Sequence, residues 1–192
     1  DFPVNIADIE RIEILEGAAS RVMGSQAFSG AINVVTRNNH TPTHLEALLE
    51  GGSYGTVKGE ARTAWQWAKH WSGSASGSYQ RSDGAVQNSA FKGGKGYGQL
   101  SYDAPDFRFD LQAGATANDF GANTFYSAAY PNQWEATRRY LVSARAESKG
   151  RVHLVPQLSW VRSLDHFQLI KDSQTGENFH RGDVYTAGLN AW

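Results

Sequence analysis

The sequence predicts a mainly β protein made of long antiparallel strands, and the first observation behind this prediction is alternation. From Val57 to Trp67 most odd positions are apolar, aromatic or small, whereas most even positions are charged or polar. This period of two places the two sets on opposite faces of a strand. The same period recurs from Trp71 to Gln80 and from Phe107 to Asn118. Each segment has roughly ten residues, which is the length that a tilted strand needs to cross a lipid bilayer.

The second observation is the order of the connections, because alternation alone also fits a soluble β-sandwich. Eight strands are predicted, over 44–53, 56–67, 70–81, 94–103, 106–118, 138–147, 151–162 and 182–192. Tight turns are predicted at 68–69, 104–105 and 149–150, and long links at 82–93, 119–137 and 163–181. Apart from the short first link at 53–55, long and short connections alternate. All long links therefore lie at one end of the strands, as in a transmembrane β-barrel of the outer-membrane type.

Aromatic residues near the first tight turn fit the same architecture. Trp65, Trp67 and Trp71 flank Lys69, at the level where a membrane interface holds a girdle of aromatic side chains. The alternative is cross-strand aromatic packing at one end of a soluble sheet.

Composition argues against several other classes. The net charge of −1 gives no reason to expect a nucleic-acid partner, since such a surface needs clustered lysine and arginine. The chain has no cysteine, and its six histidines lack metal-ligand spacing, so we expect neither a metal nor a cofactor. No run of roughly 18 apolar residues predicts a transmembrane helix, but a membrane barrel needs none.

Catalytic motifs are also absent from the sequence. It contains no Gly-x-Ser-x-Gly element, and the glycine-rich residues 93–96 run into a strand pattern instead of the helix that a phosphate-binding loop requires. We therefore expect a protein that is not an enzyme. Two other classes stay open on the residues alone: a β-rich surface binding or adhesin module, and a secreted glycan-active enzyme, which would need paired carboxylates.

A motif near the start of the chain favours one class of protein over the others. Residues 9–15 read Ile-Glu-Arg-Ile-Glu-Ile-Leu, residues 23–25 read Met-Gly-Ser, and residues 30–36 read Gly-Ala-Ile-Asn-Val-Val-Thr. In order and spacing this run resembles the end of the plug domain of TonB-dependent outer-membrane receptors. The chain departs from many members at 16–18, where Glu-Gly-Ala stands in place of Arg-Gly-Pro.

The resemblance implies an architecture and a function. Residues 1–40 would be the C-terminal part of an α/β plug, and residues 41–192 about eight strands of an incomplete barrel that has about 22 strands in the family. The chain would then be a fragment of a receptor in the bacterial outer membrane. Such a receptor imports a scarce small-molecule nutrient, for example vitamin B12 or an iron chelate, into the periplasm. Its implied partners are the membrane lipid and TonB, whose binding box would lie upstream of this chain.

Charged residues in the plug-like segment are candidates for contacts between plug and barrel. Alternation over 9–15 places Ile12 and Ile14 on the core side of the plug and Arg11 and Glu13 on the opposite side. The candidate contact residues are Arg11, Glu13, Glu16 and Arg21. The alternative is that these charges are simply solvated in a watery lumen.

The long link at 119–138 is the strongest candidate for ligand binding. It also resembles a segment of a receptor subgroup from Bacteroidetes-type bacteria. Aromatic rings mixed with amides suit a flat or ring-rich ligand, which they would bind by stacking and hydrogen bonding. The candidate residues are Phe120, Asn123, Phe125, Tyr126, Tyr130 and Trp134. The sequence thus predicts that Trp134→Ala and Tyr126→Ala lower ligand affinity, unless these rings only pack the loop.

Overall fold

The structure, a computed structural model, describes residues 2–17, 30–37 and 44–192. The chain divides into two units. The smaller unit is Ile6–Asn38, and the larger unit combines Asp1–Asn5 with Asn39–Trp192. The domain boundary predicted after residue 40 falls outside the described residues, and it stays a prediction.

The smaller unit contains a two-stranded antiparallel sheet. A short 3₁₀ helix at Ile6–Asp8 leads into β1 (Ile9–Glu16), which pairs with β2 (Gly30–Thr36). The predicted alternation is present, because Ile14 lies opposite Ile32 and shares its face with Ile12. That face is open: Ile12 is 57% exposed and Ile14 72% exposed. The described residues place no core against this face, and its assignment to the core side of a plug stays a prediction.

The larger unit is one antiparallel sheet of eight strands. In chain order they are β3 (His44–Gly52), β4 (Thr56–Ala68), β5 (Trp71–Ser82), β6 (Phe91–Asp103), β7 (Phe107–Gly121), β8 (Trp134–Ser148), β9 (Leu154–Gln168) and β10 (Glu177–Ala191). Each strand pairs with the next along the chain. The predicted set of eight strands with alternating short and long connections is confirmed.

The strands run further toward the long connections than the sequence predicts. β6 begins at Phe91, β8 at Trp134 and β10 at Glu177, so each starts three to five residues early. The physical reason is that backbone pairing with the neighbouring strands continues where the alternation of apolar and polar residues is interrupted. The long connections accordingly shrink to 83–90, 122–133 and 169–176.

Pro156 lies inside β9, where a proline cannot donate a ladder hydrogen bond. The pairing of β8 with β9 ends at the pair Arg145 and Gln157, and Gln157 directly follows Pro156 in the sequence. On the other side Pro156 lies opposite Leu189 of β10. The proline therefore occupies a position where only one of its two neighbouring strands is paired.

The register gives the sheet two chemically different faces. From β5 to β10 the ladders contain no register shift, so directly paired residues point to the same side. We call one side the inner face; it includes the row Ser76, Tyr97 and Gly114. Charged inner-face residues include Glu46, Glu50, Lys58, Glu60, Arg62, Lys95, Arg108, Asp110, Arg139, Arg145 and Glu147. The opposite, outer face is mostly apolar.

The first residues of the chain dock on the inner face. The Asn5 amide donates to the Ser76 hydroxyl over 2.7 Å, and the Ser78 hydroxyl donates to the Asn5 carbonyl oxygen over 2.6 Å. Asn5 is only 2% exposed. A Cβ atom added at Gly114 would lie 2.2 Å from the backbone oxygen of Pro3. Glycine at this position therefore lets the backbone of the docked segment touch the sheet.

We predict that Gly114→Ala displaces the docked segment. The new methyl group overlaps the backbone oxygen of Pro3, and losing the two hydrogen bonds of Asn5 costs about 1 kcal/mol each. Thermal unfolding and protease cleavage within residues 2–5 measure the effect. Gly96→Ala is the matched control, because its Cβ atom meets nothing within 4 Å. Equal behaviour of the two variants would contradict this account of Gly114.

Candidate functional site

An uncharged band covers the outer face of β3 to β7 and narrows over β8 to β10, where Arg138, Arg162 and Asp183 lie at its edge. On β5 the outer positions from Trp71 to Tyr79 carry no charge, and the next outer residue is Arg81. On β7 they are uncharged from Phe107 to Ala117, and Asp119 follows. At about 3.3 Å per residue the β5 run is roughly 27 Å long. A tilted strand of this kind matches the apolar band of an outer-membrane barrel, which is about 25 Å tall.

Aromatic side chains mark both edges of this band. At the tight-turn edge Trp67 lies between Trp65 and Trp71, with ring centroids 6.3 Å and 6.1 Å apart, and Trp71 contacts Tyr102. At the long-connection edge the rings of Trp134 and Phe179 flank His166 at 5.2 Å and 4.2 Å. Aromatic girdles at both edges are typical of a β-barrel in a bilayer.

The connections at 83–90 and 122–133 are joined by amide side chains. The Asn88 amide donates to the backbone oxygens of Pro131 and Gln133, over 2.9 Å and 2.6 Å. The Asn123 amide donates to the Gln87 backbone oxygen over 2.6 Å. Asn123, a predicted ligand residue, therefore already serves the loop structure.

Gln133 organises the second connection from inside. Its side chain is fully buried, accepts a hydrogen bond from the Tyr126 backbone N–H over 3.0 Å and donates to the Ser127 backbone oxygen over 3.2 Å. The sequence does not predict Gln133, Asn88 or Glu135 as site residues. Each is an amide or a carboxylate within a predicted long link, which is too common to identify a site.

Tyr126 and Phe125 form an aromatic platform on the inner side of the sheet. The Tyr126 hydroxyl donates to the Glu135 carboxylate, and its ring lies edge-on to Phe167 at 5.1 Å and to Phe125 at 4.8 Å. Glu135 pairs directly with Phe120 across the ladder, so both point inward. The hydrogen bond to Glu135 is the main reason that the pKa of Tyr126 rises to about 12. Phe125 is 76% exposed, so its ring surface is open to a ligand, whereas Glu135 is only 8% exposed.

The six predicted ligand residues do not form one group. Phe120 and Trp134 lie in β7 and β8, because these strands extend into the predicted loop. Trp134 points to the outer face, where it packs on His166, whereas Phe120 points inward. Tyr130 lies in the connection and is 40% exposed. The structure thus brings Phe120, Phe125 and Tyr126 to the inner side and separates Trp134 from them.

The predicted plug contacts are paired within the smaller unit. Arg11 bonds Glu10 and Glu13 over 2.8 Å each, and Glu13 also accepts from Asn33 over 2.8 Å. Glu16 is exposed at the end of β1. Arg21 lies outside the described residues. Contact between these residues and a barrel wall stays a prediction.

Two features, a metal-binding group of side chains and a membrane-spanning helix, are absent from the described ranges. Among residues 2–17, 30–37 and 44–192, no group of three or more histidine, cysteine, aspartate or glutamate side chains could hold a metal ion. No helix within the described part of the chain is long and apolar enough to cross a membrane.

Comparison with known proteins identifies the fold. No family model matches the chain, and no curated protein matches it. Solved structures do match the chain. One, described as "Structure of the FpvAI-pyocin S2 complex", matches 96% of this chain with a TM-score of 0.74 and 18% identity. The pyoverdine outer membrane receptor FpvA from Pseudomonas aeruginosa PAO1, bound to pyoverdine, matches 85% with a TM-score of 0.62 and 18% identity. The predicted fold class, mainly β with the antiparallel sheet of a β-barrel fragment, is confirmed, and the assignment of the first forty residues to a plug stays a prediction.

The likeness covers only part of these larger proteins. This chain spans 30% of the length of the first structure and 27% of the second. The activity of a whole receptor is therefore a matter for proposal.

We predict that Glu135→Gln lowers the pKa of Tyr126 back toward its ordinary value of 10. The carboxylate stabilises the neutral phenol, so its contribution is complete below pH 10 and is lost as the pH rises through about 12. NMR of isotope-labelled tyrosine during a pH titration measures the change. Glu177→Gln is the control, because Glu177 binds His166 on the outer side. A Tyr126 that ionises near pH 10 in the unmodified protein would refute the hydrogen bond.

Proposed function

We propose that this chain is part of a TonB-dependent receptor of the bacterial outer membrane, which imports a scarce nutrient into the periplasm. The carrying observation is the division of the sheet into a charged inner face and an uncharged outer band with aromatic edges. A sheet with lipid on one side and water on the other has this pattern, and together with the alternating long and short connections it matches an outer-membrane barrel. The motif at 9–36 and the likeness to outer-membrane receptor structures support the same function.

The implied mechanism is transport without a change of covalent bonds. Ligand binds at the long-connection end, and the plug shifts to open a path along the polar inner face. TonB is the proposed energy-coupling partner, and the outer-membrane lipid surrounds the outer band. The inner face suits this path, because its serine, glutamine and charged side chains keep a water-filled lumen hydrated.

The ligand we propose is a small nutrient with a flat or ring-rich part, in the class of iron chelates or vitamin B12. The platform of Phe125 and Tyr126 offers ring faces for stacking, and the hydrogen bond from the Tyr126 hydroxyl to Glu135 holds the Tyr126 ring in place. The receptor FpvA is described in complex with pyoverdine, which supports a small-molecule ligand for this fold. An origin in Bacteroidetes-type bacteria rests on the loop resemblance alone.

The orientation of the sheet predicts opposite effects of lysine on neighbouring residues of β7. Ala113 lies in the middle of the outer band, so Ala113→Lys places a charge in the hydrocarbon and costs about 2 to 4 kcal/mol. Gln112 lies on the inner face, where Gln112→Lys remains in water. Heat modifiability on gels and unfolding of the full-length protein in lipid vesicles measure the difference.

In a soluble sandwich that buries the apolar face, Ala113→Lys would also destabilise the protein, so fractionation of the native protein distinguishes that case from the membrane proposal. A Gln112→Lys variant as unstable as Ala113→Lys, or a native protein that fractionates as soluble, would refute the membrane proposal.

We predict that Phe125→Ala and Tyr126→Ala each weaken nutrient binding about tenfold, while the receptor still reaches the outer membrane. Loss of one stacking ring commonly costs about 1 kcal/mol or more. Uptake and binding of candidate iron chelates and cobalamins by cells that express the full-length receptor measure the loss. Trp134→Ala tests which face of the sheet binds the ligand. If the ligand binds on the inner side, this substitution leaves the affinity unchanged, since Trp134 points outward. A loss confined to Trp134→Ala would refute the inner platform.

A further inference from the structure

Hydrogen bonds tie the three long connections, 83–90, 122–133 and 169–176, to one another. Amide side chains join the first connection to the second, as described above. The third connection joins the second through the Lys171 backbone N–H, which donates to the Asn132 backbone oxygen over 2.8 Å. The connection 122–133, which carries the aromatic platform, is therefore held by a neighbouring connection on each side.

Gln133 joins this framework to the platform, and its side chain is too deeply buried to touch a ligand. Both ends of its amide are used inside the connection, on the Tyr126 backbone N–H and the Ser127 backbone oxygen. The backbone oxygen of Gln133 accepts a hydrogen bond from the Ala122 N–H over 2.9 Å and one from the Asn88 amide over 2.6 Å. A shift of Gln133 therefore moves the backbone of Tyr126.

Asn88 fixes Gln133 from the neighbouring connection. Its amide nitrogen has two hydrogens, and it donates to the backbone oxygens of both Pro131 and Gln133. Its φ angle is 55°, in the left-handed region that asparagine adopts more readily than most residues. A Cβ atom added at Gly121 would lie 2.4 Å from the Asn88 backbone oxygen and 2.6 Å from its side-chain oxygen. Glycine at the end of β7 therefore lets Asn88 lie in contact with the sheet.

We propose that Asn88 is a positioning residue of the ligand site, which acts through Gln133 to hold Tyr126 in its binding position before ligand arrives. The site is then preformed, so the free energy of binding does not include the cost of ordering the connection. The affinity for ligand consequently depends on a connection that contributes no ring to the platform. The proposal rests on the function proposed above, because that function makes Phe125 and Tyr126 the ligand platform.

The contacts of Tyr126 favour this role over simple packing of the connections. Its hydroxyl donates to the Glu135 carboxylate and its ring lies edge-on to Phe167 at 5.1 Å, so both contacts depend on where its backbone lies. The Tyr126 N–H is the point at which Gln133 holds that backbone. Asn88 uses both amide hydrogens on the connection, so it has none left for a ligand. The contacts from Asn88 to Tyr126 are therefore continuous, and they end at a ring that is 56% exposed.

The test substitutes Asn88→Asp in the full-length receptor. Aspartate has nearly the same shape and also tolerates a positive φ, but its carboxylate cannot donate to the two backbone oxygens. Asn190→Asp is the matched control, because it makes the same change at an exposed residue of β10 near the tight-turn end. Two measurements are made without ligand: hydrogen exchange of the Tyr126 amide, and the titration of its phenol by NMR.

We expect Asn88→Asp to raise the exchange rate of the Tyr126 amide about tenfold, because this N–H loses its fixed acceptor. The same substitution should lower the pKa of the Tyr126 phenol from about 12 toward its ordinary value of 10, because the hydroxyl leaves Glu135. Asn190→Asp should leave both values as in the unmodified receptor. An Asn88→Asp variant that matches the control in both measurements would overturn the proposal.

A double-mutant cycle tests the link to ligand binding, with iron-loaded pyoverdine and cyanocobalamin as probes. We expect Asn88→Asp to weaken binding of whichever probe the unmodified receptor binds by about fivefold. In the Tyr126→Ala background the same substitution should have no further effect, because both changes then act on one contact. An equal loss in both backgrounds would overturn the positioning role, since Asn88 would then act without Tyr126.

The measurements without ligand are independent of the proposed function. If they change as expected but neither probe binds, the proposed ligand class fails and the positioning of Tyr126 by Asn88 stands. If Asn88→Asp does not fold, Gly121→Ala replaces it, since the added methyl group displaces Asn88 without a new charge. Gly182→Ala is then the control, because its Cβ atom meets nothing within 4 Å.

Discussion

The cross-strand register of the larger sheet is the constraint on which its two faces depend. From β5 to β10 the ladders run without a bulge, so every residue keeps its side. A slip of one residue in any strand would exchange the faces of that strand. On β7 it would turn Arg108 and Asp110 outward and remove Phe109 and Leu111 from the apolar face. Hydrophobic pattern and register therefore reinforce each other.

The inner face is subject to a second constraint, because its charged side chains must be paired without a packed core. Asp110 is an example. It accepts a hydrogen bond from Arg108 of its own strand over 2.8 Å and one from the Ser101 hydroxyl of the neighbouring β6 over 2.7 Å. Arg145 and Glu147 repeat the pairing of neighbouring inner positions over 2.8 Å. Such pairs are local to one or two strands. The segment that docks through Asn5 can consequently bind serines without disturbing the charged network.

The strands and their faces could be predicted from the sequence because they depend on a local period of two. The arrangement of the long connections and the docking of the first residues depend instead on contacts between residues far apart in the sequence. Asn88 and Gln133 are 45 positions apart, and Asn5 and Ser76 are 71 apart, so no local pattern reveals either contact. The strand ends were misjudged for the same reason: the ladder at Phe91 and Trp134 is held by neighbouring strands and not by the apolar pattern. Trp134 was consequently assigned to a loop, although it belongs to the outer edge.

Side-chain size adds a second level of order to the outer face. Across β3 to β7 one outer row consists of Ala47, Ala61, Gly77, Gly96 and Ala115. Glycine weakens an isolated strand, but here a strand on each side pairs the backbone of Gly77 and Gly96, so their conformation is fixed by two ladders. The same row rises to Tyr140 and Arg162 on β8 and β9. Along this row the outer surface is thus smooth over the early strands and ridged over the later ones.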